Sequence, residues 1–393
     1  MIASVIIDIH TSNSSTVVHV DWSTGETSRF HAIWLRDNSL DASTRSANNG
    51  QRLVTICDID PRTSIAQIEI LDGGDIVGVT FAPDGLTSHF PSQWLLEHRY
   101  DAPISESVRK SGWIEGRHES WMNSSMCDRI PRASWSDLQS SQRVLLEWLS
   151  AIDRFGFAVL DGVPCESGSL CGVAEMFGYV RETNYGKWFD VIAEVTPHNL
   201  ANTNLGLQAH TDNPYRDPVP TLQLLACLEN SVLGGESTIV DGFAIAGYLQ
   251  EHDRPAFDIL SRIPVRFAYD ESGQVALRAK RPIFELGPDG ELITVRYNNR
   301  SAAPFIDISF GEMEDFYRAY RKFAECIDDP KFAVTFKLAP GEAFIVDNTR
   351  VLHARTAFYG SGKRWLQGCY VDKDGLLSTL RLLEHSTANG GMR

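Results

Sequence analysis

The sequence predicts a β-rich α+β protein with a jelly-roll core, flanking helices and a small β-rich N-terminal domain. Short apolar segments broken by Gly and Pro fill residues 219–243 and 332–372, which is typical of barrel strands. Segments with apolar residues at helical spacing lie around them. The length of 393 residues favours one large domain and one small one.

Residues 1–100 are predicted to form the small domain. Residues 65–71 alternate apolar and polar side chains, and residues 76–81 resume after an Asp-Gly-Gly turn, which predicts a hairpin. Residues 94–98 predict a short helix. The polar, irregular segment 101–135 is predicted to be a linker. No internal repeat is predicted.

Residues 136–393 are predicted to form the large domain, in which helices precede and interrupt the strands of the jelly roll. The pattern of apolar residues predicts four such elements. They are a helix that is capped by Ser136 and runs through 144–152, a strand at 157–160, a helix at 168–177 and a helix at 311–323.

Composition restricts the class of partner. Apolar residues make up 43% and charged residues 22% of the chain, as in ordinary globular proteins. The net charge of −15, with no long basic run, argues against nucleic acid and is compatible with a cationic small molecule. Seven cysteines without a close pair favour a reduced, cytoplasmic compartment. The N-terminus resembles neither a signal peptide nor a membrane span.

His210 and Asp212 are the most informative residues, because side chains with one residue between them on a strand point to the same face. His353 follows far downstream. Two histidines and one carboxylate can bind one face of Fe(II) and leave the other open. Arg364, eleven residues after His353, suits the far carboxylate of a 2-oxoglutarate co-substrate through two parallel hydrogen bonds.

Three other interpretations stay open from these residues alone. A His-x-Asp pair is common and usually binds nothing. Two histidines and a carboxylate also occur in zinc hydrolases, although these do not require the later arginine. The third interpretation is that the jelly roll is a non-catalytic barrel that binds a small molecule.

The sequence resembles the gamma-butyrobetaine hydroxylase group of Fe(II)/2-oxoglutarate dioxygenases over nearly its whole length. The N-terminal segment 30–38 resembles the accessory domain of that group. The catalytic motifs that carry the resemblance are 210–215, 234–243, 297–299, and His353 with 364–370. The resemblance implies a double-stranded β-helix carrying iron, a homodimer, and hydroxylation of a C–H bond in a substrate with a trimethylammonium group. Fe(II), 2-oxoglutarate and O2 are the implied cofactors.

The resemblance also implies roles for individual residues. His210, Asp212 and His353 would bind the iron, and Arg364 with Ser237 would hold 2-oxoglutarate. Aromatic faces would hold the trimethylammonium group, which has no hydrogen-bond donor. The residues implied to contact substrate are Tyr185, Trp188 and Tyr370 around the cation, Asn199, Asn298, Asn299 and Arg300 near the anionic end, and Asn202 at the position of a cage residue. The alternatives are core aromatics and, for Asn298 and Asn299, a turn.

Two departures from the family pattern bear on substrate and metal. Asn202 stands where related enzymes tend to carry a cage tyrosine, so a trimethylammonium phosphonate such as 2-trimethylaminoethylphosphonate stays open beside the default, gamma-butyrobetaine giving carnitine. The segment 39–44 lacks the cysteines that bind a structural zinc in relatives. Because Cys57 alone cannot form a tetrahedral site, no structural zinc is predicted.

Overall fold

The computed structural model divides into two compact units, Met1–Arg109 and Lys110–Arg393. Asn199 and Asn202, both predicted to contact substrate, lie outside the residues that it describes. No helix among the described residues is long and apolar enough to cross a membrane. The described residues are 5–101, 117–192, 203–271 and 273–388.

The first unit consists of two three-stranded antiparallel sheets, each followed by a short helix. The predicted hairpin and the predicted short helix are both present, and the hairpin is β4–β5. The elements are β1 (Ile6–Thr11), β2 (Val17–Trp22), β3 (Thr27–His31), α1 (Ala32–Asp37), β4 (Ser64–Leu71), β5 (Ile76–Ala82), β6 (Thr87–Pro91) and α2 (Ser92–Glu97).

This unit contains an internal repeat, so the prediction of no repeat is wrong. Residues 27–37 and 87–97 each form a strand and the helix after it. Thr, Ser, Phe, Trp and Leu recur at equivalent positions, and Phe30 and Phe90 are both fully buried. The repeat escapes detection because its two copies are short and separated by a long dissimilar segment.

Two facing sheets form the jelly roll of the second unit. One sheet has the strand order β10-β20-β13-β18, and the other has the order β7-β8-β19-β11-β22-β9. The strands of both sheets are β7 (Arg132–Ser134), β8 (Phe157–Asp161), β9 (Phe189–Ile192), β10 (Leu207–His210), β11 (Leu222–Asn230), β13 (Ser237–Asp241), β18 (Ala333–Phe336), β19 (Ala343–Asp347), β20 (Val351–Arg355) and β22 (Arg364–Val371).

Helices and small two-stranded sheets accompany the two large sheets. The small strands are β12 (Leu233–Gly234), β14 (Val265–Glu271), β15 (Val275–Arg281), β16 (Phe284–Leu286), β17 (Leu292–Val295) and β21 (Phe358–Tyr359). The helices are α3 (Asn123–Met126), α4 (Trp135–Ser140), α5 (Gln142–Phe155), α6 (Ser169–Glu175), α7 (Gly242–His252), α8 (Arg254–Arg262), α9 (Met313–Asp328) and α10 (Lys373–Ala388).

Apolar side chains from both sheets meet in one core. Phe157 and Phe344 of the larger sheet pack in the same cluster as Ile239, Val334 and Val351 of the smaller one. All five residues of β19 are buried because helices cover the opposite face of its sheet. The two sheets therefore hold their strands rigidly, which fixes the side chains that point between them.

The predicted helix capped by Ser136 is instead two helices. Ser134 caps α4 by accepting a hydrogen bond from the Asp137 amide at 3.1 Å, and Ser136 lies inside that helix. Ser141 has extended backbone angles and caps α5 by accepting from the Val144 amide. Serine favours N-cap positions because its hydroxyl satisfies a free amide, and the chain uses two others instead of Ser136.

The segment 117–135 packs into the second unit, although it falls within the predicted linker. Trp121 is buried, and its indole donates to the Phe155 carbonyl oxygen at 2.7 Å. The buried carboxylate of Asp241 accepts from the Trp121 amide and pairs with Arg350, which is also fully buried. The segment is polar in composition, and its few apolar anchors are too widely spaced to show a period.

Candidate metal centre and active site

Strand pairing brings the three predicted metal ligands together. His210 ends β10 and lies directly opposite His353 of β20 in the antiparallel register. Asp212 follows two residues after His210, and its Oδ1 lies 3.3 Å from His210 Nε2 and 3.8 Å from His353 Nε2. The two imidazole centroids are 4.6 Å apart. Their ligand atoms therefore converge on one point, as a single metal ion requires.

Hydrogen bonds aim the Asp212 carboxylate at the histidines. The Tyr370 hydroxyl donates to Asp212 Oδ2 at 2.7 Å, and the Gln223 amide donates to the same oxygen. Asn348 accepts from the Asp212 backbone amide at 2.6 Å and donates to its carbonyl oxygen at 3.0 Å. With Oδ2 engaged, Oδ1 is the oxygen that faces the imidazoles.

The protonation states suit metal binding. His210 Nδ1 donates to the Gln208 carbonyl oxygen at 2.8 Å, which leaves Nε2 with its lone pair. Burial lowers the pKa of His353 to about 3, so this imidazole is neutral at neutral pH. Burial alone would raise the pKa of Asp212, but hydrogen bonding, including the bond that the Tyr370 hydroxyl donates, lowers it below the ordinary value. Two nitrogens and one anionic oxygen fit Fe(II) with positions to spare.

The triad lines a cavity of about 380 Å³ inside the jelly roll. Arg364 and Tyr370 both line it, as the alternation along β22 predicts, and they lie about 20 Å apart on an extended strand. The cavity thus has a basic region near the start of β22 and an aromatic region near its end. Its size is within the usual range for a small-molecule site.

Arg364 and Ser237 lie in the basic region and are both buried. Arg364 Nε donates to the Gly235 carbonyl oxygen at 3.3 Å, and burial lowers the pKa of its guanidinium to about 10, which keeps it charged at neutral pH. Arg355, which the sequence did not single out, also lines the cavity and is paired with Ser237 across β13 and β20. It follows His353 by two residues, so strand alternation could have predicted it.

Phe344 lines the cavity, and so do five further aromatic residues: Tyr185, Phe189, Tyr215, Tyr269 and Tyr370. The ring centroids of Tyr215 and Tyr269 stack at 4.9 Å, and those of Phe189 and Tyr370 are 5.2 Å apart. The Tyr185 hydroxyl lies 3.0 Å from that of Tyr215. We name these five residues the aromatic wall. Phe189, Tyr215 and Tyr269 were not predicted, because nothing in the local sequence distinguishes them from core aromatics.

Trp188, predicted to face the substrate, is turned away from the cavity. Its side chain is 39% exposed and lies against Gly168, while Phe189 takes the inward position. Phe189 is paired with Gly368 of β22, where a Cβ would come within 2.5 Å of the Phe189 ring. The missing side chain at Gly368 makes room for Phe189, and strand alternation then directs Trp188 outward.

The three residues 298–300 have different surroundings. The Asn298 side chain accepts from the Arg300 amide at 3.1 Å and donates to the Thr211 carbonyl oxygen, so it shapes a turn beside the cavity. Arg300 enters the cavity, with Nη2 2.8 Å from His210 Nε2. Asn299 points elsewhere and accepts from the Tyr320 hydroxyl at 2.9 Å, so the structure does not support its predicted substrate contact. The position of Asn299 in the turn directs its side chain away from the cavity.

Two family models together match most of the chain. Residues 124–370 match the taurine catabolism dioxygenase TauD, TfdA family, and residues 9–96 match the gamma-butyrobetaine hydroxylase-like N-terminal domain. Among solved structures, the non-heme iron oxygenase OrfP in complex with Fe and alpha-ketoglutaric acid is similar, with 18% identity and a TM-score of 0.46. That similarity covers 59% of this chain and 80% of the other.

Curated relatives match over nearly their whole length. A gamma-butyrobetaine dioxygenase of a Pseudomonas species is 35% identical over 93% of this chain and 94% of its own. A trimethyllysine dioxygenase of Meyerozyma guilliermondii is 31% identical, over 95% of each chain. The human gamma-butyrobetaine dioxygenase is 28% identical, over 95% of this chain and 96% of its own.

The jelly roll, the convergent triad and these matches agree on the class of chemistry. The catalytic barrel is therefore an oxygenase, and neither a zinc hydrolase nor a non-catalytic binding barrel. Its cofactors are Fe(II), 2-oxoglutarate and O2, and its substrate is a small molecule. This chain belongs to the TauD, TfdA family of dioxygenases and carries the N-terminal domain of its gamma-butyrobetaine hydroxylase-like branch.

Proposed function

We propose that this dioxygenase hydroxylates a small trimethylammonium-bearing acid, and that gamma-butyrobetaine, giving carnitine, is its substrate. The observation that carries the proposal is the aromatic wall beside the triad, with the Arg300 guanidinium in the same cavity. A quaternary ammonium has no hydrogen to donate, so stacked aromatic faces are its natural partner. A guanidinium is the matching partner for a carboxylate.

Within this proposal, Arg300 binds the carboxylate of the substrate. Its guanidinium is in the cavity, and the Asn298 side chain holds its backbone amide. The trimethylammonium group then lies among Tyr185, Tyr215 and Tyr269. The substrate is thus fixed at both ends, which places one C–H bond at the triad and keeps others away.

At the other end of the cavity, Arg364 holds the far carboxylate of 2-oxoglutarate. Ser237 supplies a second hydrogen bond, and its partner across the sheet, Arg355, adds positive charge. His210, Asp212 and His353 would hold iron, which when bound supplies the O2 chemistry. The aromatic wall excludes water from the space in which the C–H bond is oxidised.

The phosphonate alternative is not favoured. The relatives above are named for gamma-butyrobetaine and trimethyllysine, both of which are carboxylic acids. Trimethyllysine is a useful comparison substrate, because it combines the same cationic headgroup with a longer, branched chain.

Succinate release tests the proposal. Purified enzyme with Fe(II), 2-oxoglutarate and O2 should release succinate with gamma-butyrobetaine, and more slowly with trimethyllysine or 2-trimethylaminoethylphosphonate. Arg300→Met should raise the KM for gamma-butyrobetaine by about a hundredfold, since a buried charge-assisted pair is lost. Lys363→Met, which removes an exposed charge at the surface, is the matched control. Equal inactivity of the unmodified enzyme toward all three substrates would refute the proposal.

We further propose that the enzyme is a cytoplasmic homodimer without a structural zinc. All seven cysteines are free thiols, which supports a reducing compartment. Light scattering should give about twice the chain mass of 43.8 kDa. Metal analysis after reconstitution with iron should give no stoichiometric zinc. A monomer would contradict the proposed homodimer, and stoichiometric zinc would contradict the proposed absence of a structural zinc.

A further inference from the structure

Glu271, the last residue of β14, lies behind the aromatic wall. Its Oε2 accepts a hydrogen bond from the Tyr269 hydroxyl at 3.2 Å and another from the Asn184 side-chain amide at 3.3 Å. The Tyr269 ring lines the cavity, stacks on Tyr215 and meets Tyr185 edge-on at 6.2 Å. A carboxylate therefore stands one ring away from the space that these tyrosines enclose.

We infer that Glu271 is a positioning residue that makes this enzyme prefer a cationic headgroup over a neutral group of the same shape. The inference rests on the proposed function, because it assumes that the headgroup lies against the Tyr269 ring. Glu271 itself is not among the described residues that line the cavity. It acts through Tyr269 and through its own charge.

The hydrogen bonds of the three tyrosines distinguish Tyr269. Tyr215 donates to the neutral side chain of Asn213 at 2.6 Å, and the Tyr185 hydroxyl lies within hydrogen-bond distance of the Tyr215 hydroxyl. Tyr269 donates to an anion. A phenol that donates to a carboxylate has a more electron-rich ring, so a cation over its face is held more strongly. The bond also fixes the rotation of the ring.

The charge of Glu271 adds to this effect directly. The cavity is enclosed by apolar rings, where charges are screened less than in water. Arg216 donates to the side-chain oxygen of Asn184 and partly offsets the negative charge. The remaining attraction acts on a trimethylammonium group and has no counterpart for a neutral one. Charge preference, and not fit alone, is what Glu271 controls.

The test compares two ligands of the same shape. They are gamma-butyrobetaine and its carbon isostere, in which a tert-butyl group replaces the trimethylammonium group. Binding of each to the Fe(II)- and 2-oxoglutarate-loaded enzyme is measured without oxygen. The unmodified enzyme should prefer gamma-butyrobetaine, and Glu271→Gln should reduce that preference by about three- to tenfold. Affinity for the isostere should stay unchanged, which also shows that the variant is folded.

Asp270→Asn is the matched control. Asp270 is the preceding residue of the same strand and pairs with Arg278 at 2.7 Å on the exposed surface, so this variant removes one negative charge from the other face. It should leave the preference unchanged. Tyr269→Phe should reduce the preference, and adding Glu271→Gln to it should have a smaller effect than in the unmodified enzyme.

The outcomes separate the two proposals. An unmodified enzyme that binds both ligands equally, or a Glu271→Gln variant that keeps the full preference, overturns the inference. A strong preference without succinate release from gamma-butyrobetaine overturns the proposed substrate and leaves the role of Glu271 supported. An equal weakening of both ligands by Glu271→Gln identifies a purely structural role and also overturns the inference.

Discussion

The described part of the molecule contains two clusters of histidine and aspartate with similar spacing and different surroundings. The buried cluster is His210, Asp212 and His353; the exposed cluster is Asp8, His10 and Asp21. In each, two residues are separated by one intervening residue in sequence, and the third comes from the paired strand. The ligand atoms of each cluster lie within 4.8 Å of one another. Proximity alone therefore does not distinguish a metal centre.

The surroundings of the two clusters do differ. Asp212 is held by Tyr370, Gln223 and Asn348, and the two histidines beside it are buried. In the exposed cluster, the Asp21 carboxylate accepts from Thr27, and His10 stacks on His19 at the surface. Water competes for exposed ligands, and mobile side chains lose entropy on binding an ion. The comparison indicates that supporting hydrogen bonds and burial turn three side chains into a site.

Removing one ligand from the buried cluster should have the largest effect. His353→Ala should lower 2-oxoglutarate turnover by about a thousandfold or more, because the metal supplies several kcal/mol of transition-state stabilisation. The visible band of the anaerobic Fe(II)–2-oxoglutarate complex should disappear with it. His10→Ala should keep both. Full turnover in His353→Ala would remove the distinction between the clusters.

The ion pair between Lys373 and Asp347 should have the next largest effect, which is on the free energy of unfolding. Lys373 Nζ lies 2.8 Å from Asp347, whose other oxygen accepts from Thr349, and this pair anchors the loop that carries Asn348. Asp347→Asn should lower the free energy of unfolding at neutral pH by about 3 kcal/mol, since it leaves a partly buried ammonium without its partner. Urea denaturation measures this. A loss under 1 kcal/mol would mean that the loop is anchored by other contacts.

The same pair predicts a pH dependence. Burial alone would raise the pKa of Asp347, but the Lys373 charge and its hydrogen bond lower it below the ordinary value. A carboxyl with a lowered pKa stabilises the folded state above its unfolded pKa of about 4 and loses that contribution as the pH falls further. Stability should therefore fall more steeply below about pH 4 in the unmodified protein than in Asp347→Asn.

The hydrogen bonds to Asp212 should matter less than the ligands themselves. Asn348→Ala removes two bonds to the Asp212 backbone and should lower metal affinity by about 10- to 100-fold. Tyr370→Phe removes one bond and should fall at the lower end of that range. Anaerobic calorimetric titration with Fe(II) measures both. Unchanged affinity in both variants would show that burial alone makes the site.

Changes in the exposed cluster should have the smallest effect. A double variant, His10→Ala with Asp21→Asn, should keep the free energy of unfolding within about 0.5 kcal/mol, as surface substitutions usually do. Its iron stoichiometry should equal that of the unmodified protein. Loss of one bound metal ion in this variant would instead identify a second site and reverse the comparison.

The sequence predicts most of the fold from local periodicity, and the centre of the site from the His-x-Asp pair with His353 and Arg364 downstream. Alternation along β22 places Arg364 and Tyr370 on the cavity face, and Asp212, two residues beyond the end of β10, faces the same cavity as His210. Residues that act through distant partners are not predictable in this way. Asn348 has no local signal, since its role depends on the approach of a segment more than a hundred residues earlier.

The predictions that the structure contradicts also failed for physical reasons. The residue that faces the cavity is Phe189 and not the predicted Trp188, one position earlier. Gly368 on the paired strand β22 determines this, because it leaves space for the Phe189 ring. The choice of Ser134 and Ser141 over Ser136 depends on where the backbone is extended, which the four serines of residues 134–141 do not reveal by themselves. Tyr215 and Tyr269 become part of the aromatic wall only when β14 packs against the loop after Asp212.

The pairing of β10 with β20 has a consequence for folding. The two imidazoles face each other because the strands meet in one alignment, and a slip of one residue would turn His353 to the opposite side of its sheet. No shorter piece ending before β20 contains the complete set of donors. Binding of Fe(II) therefore requires the completed strand pairing. Removal of the iron by a chelator should destabilise the assembled barrel and leave its isolated strand pairs unaffected.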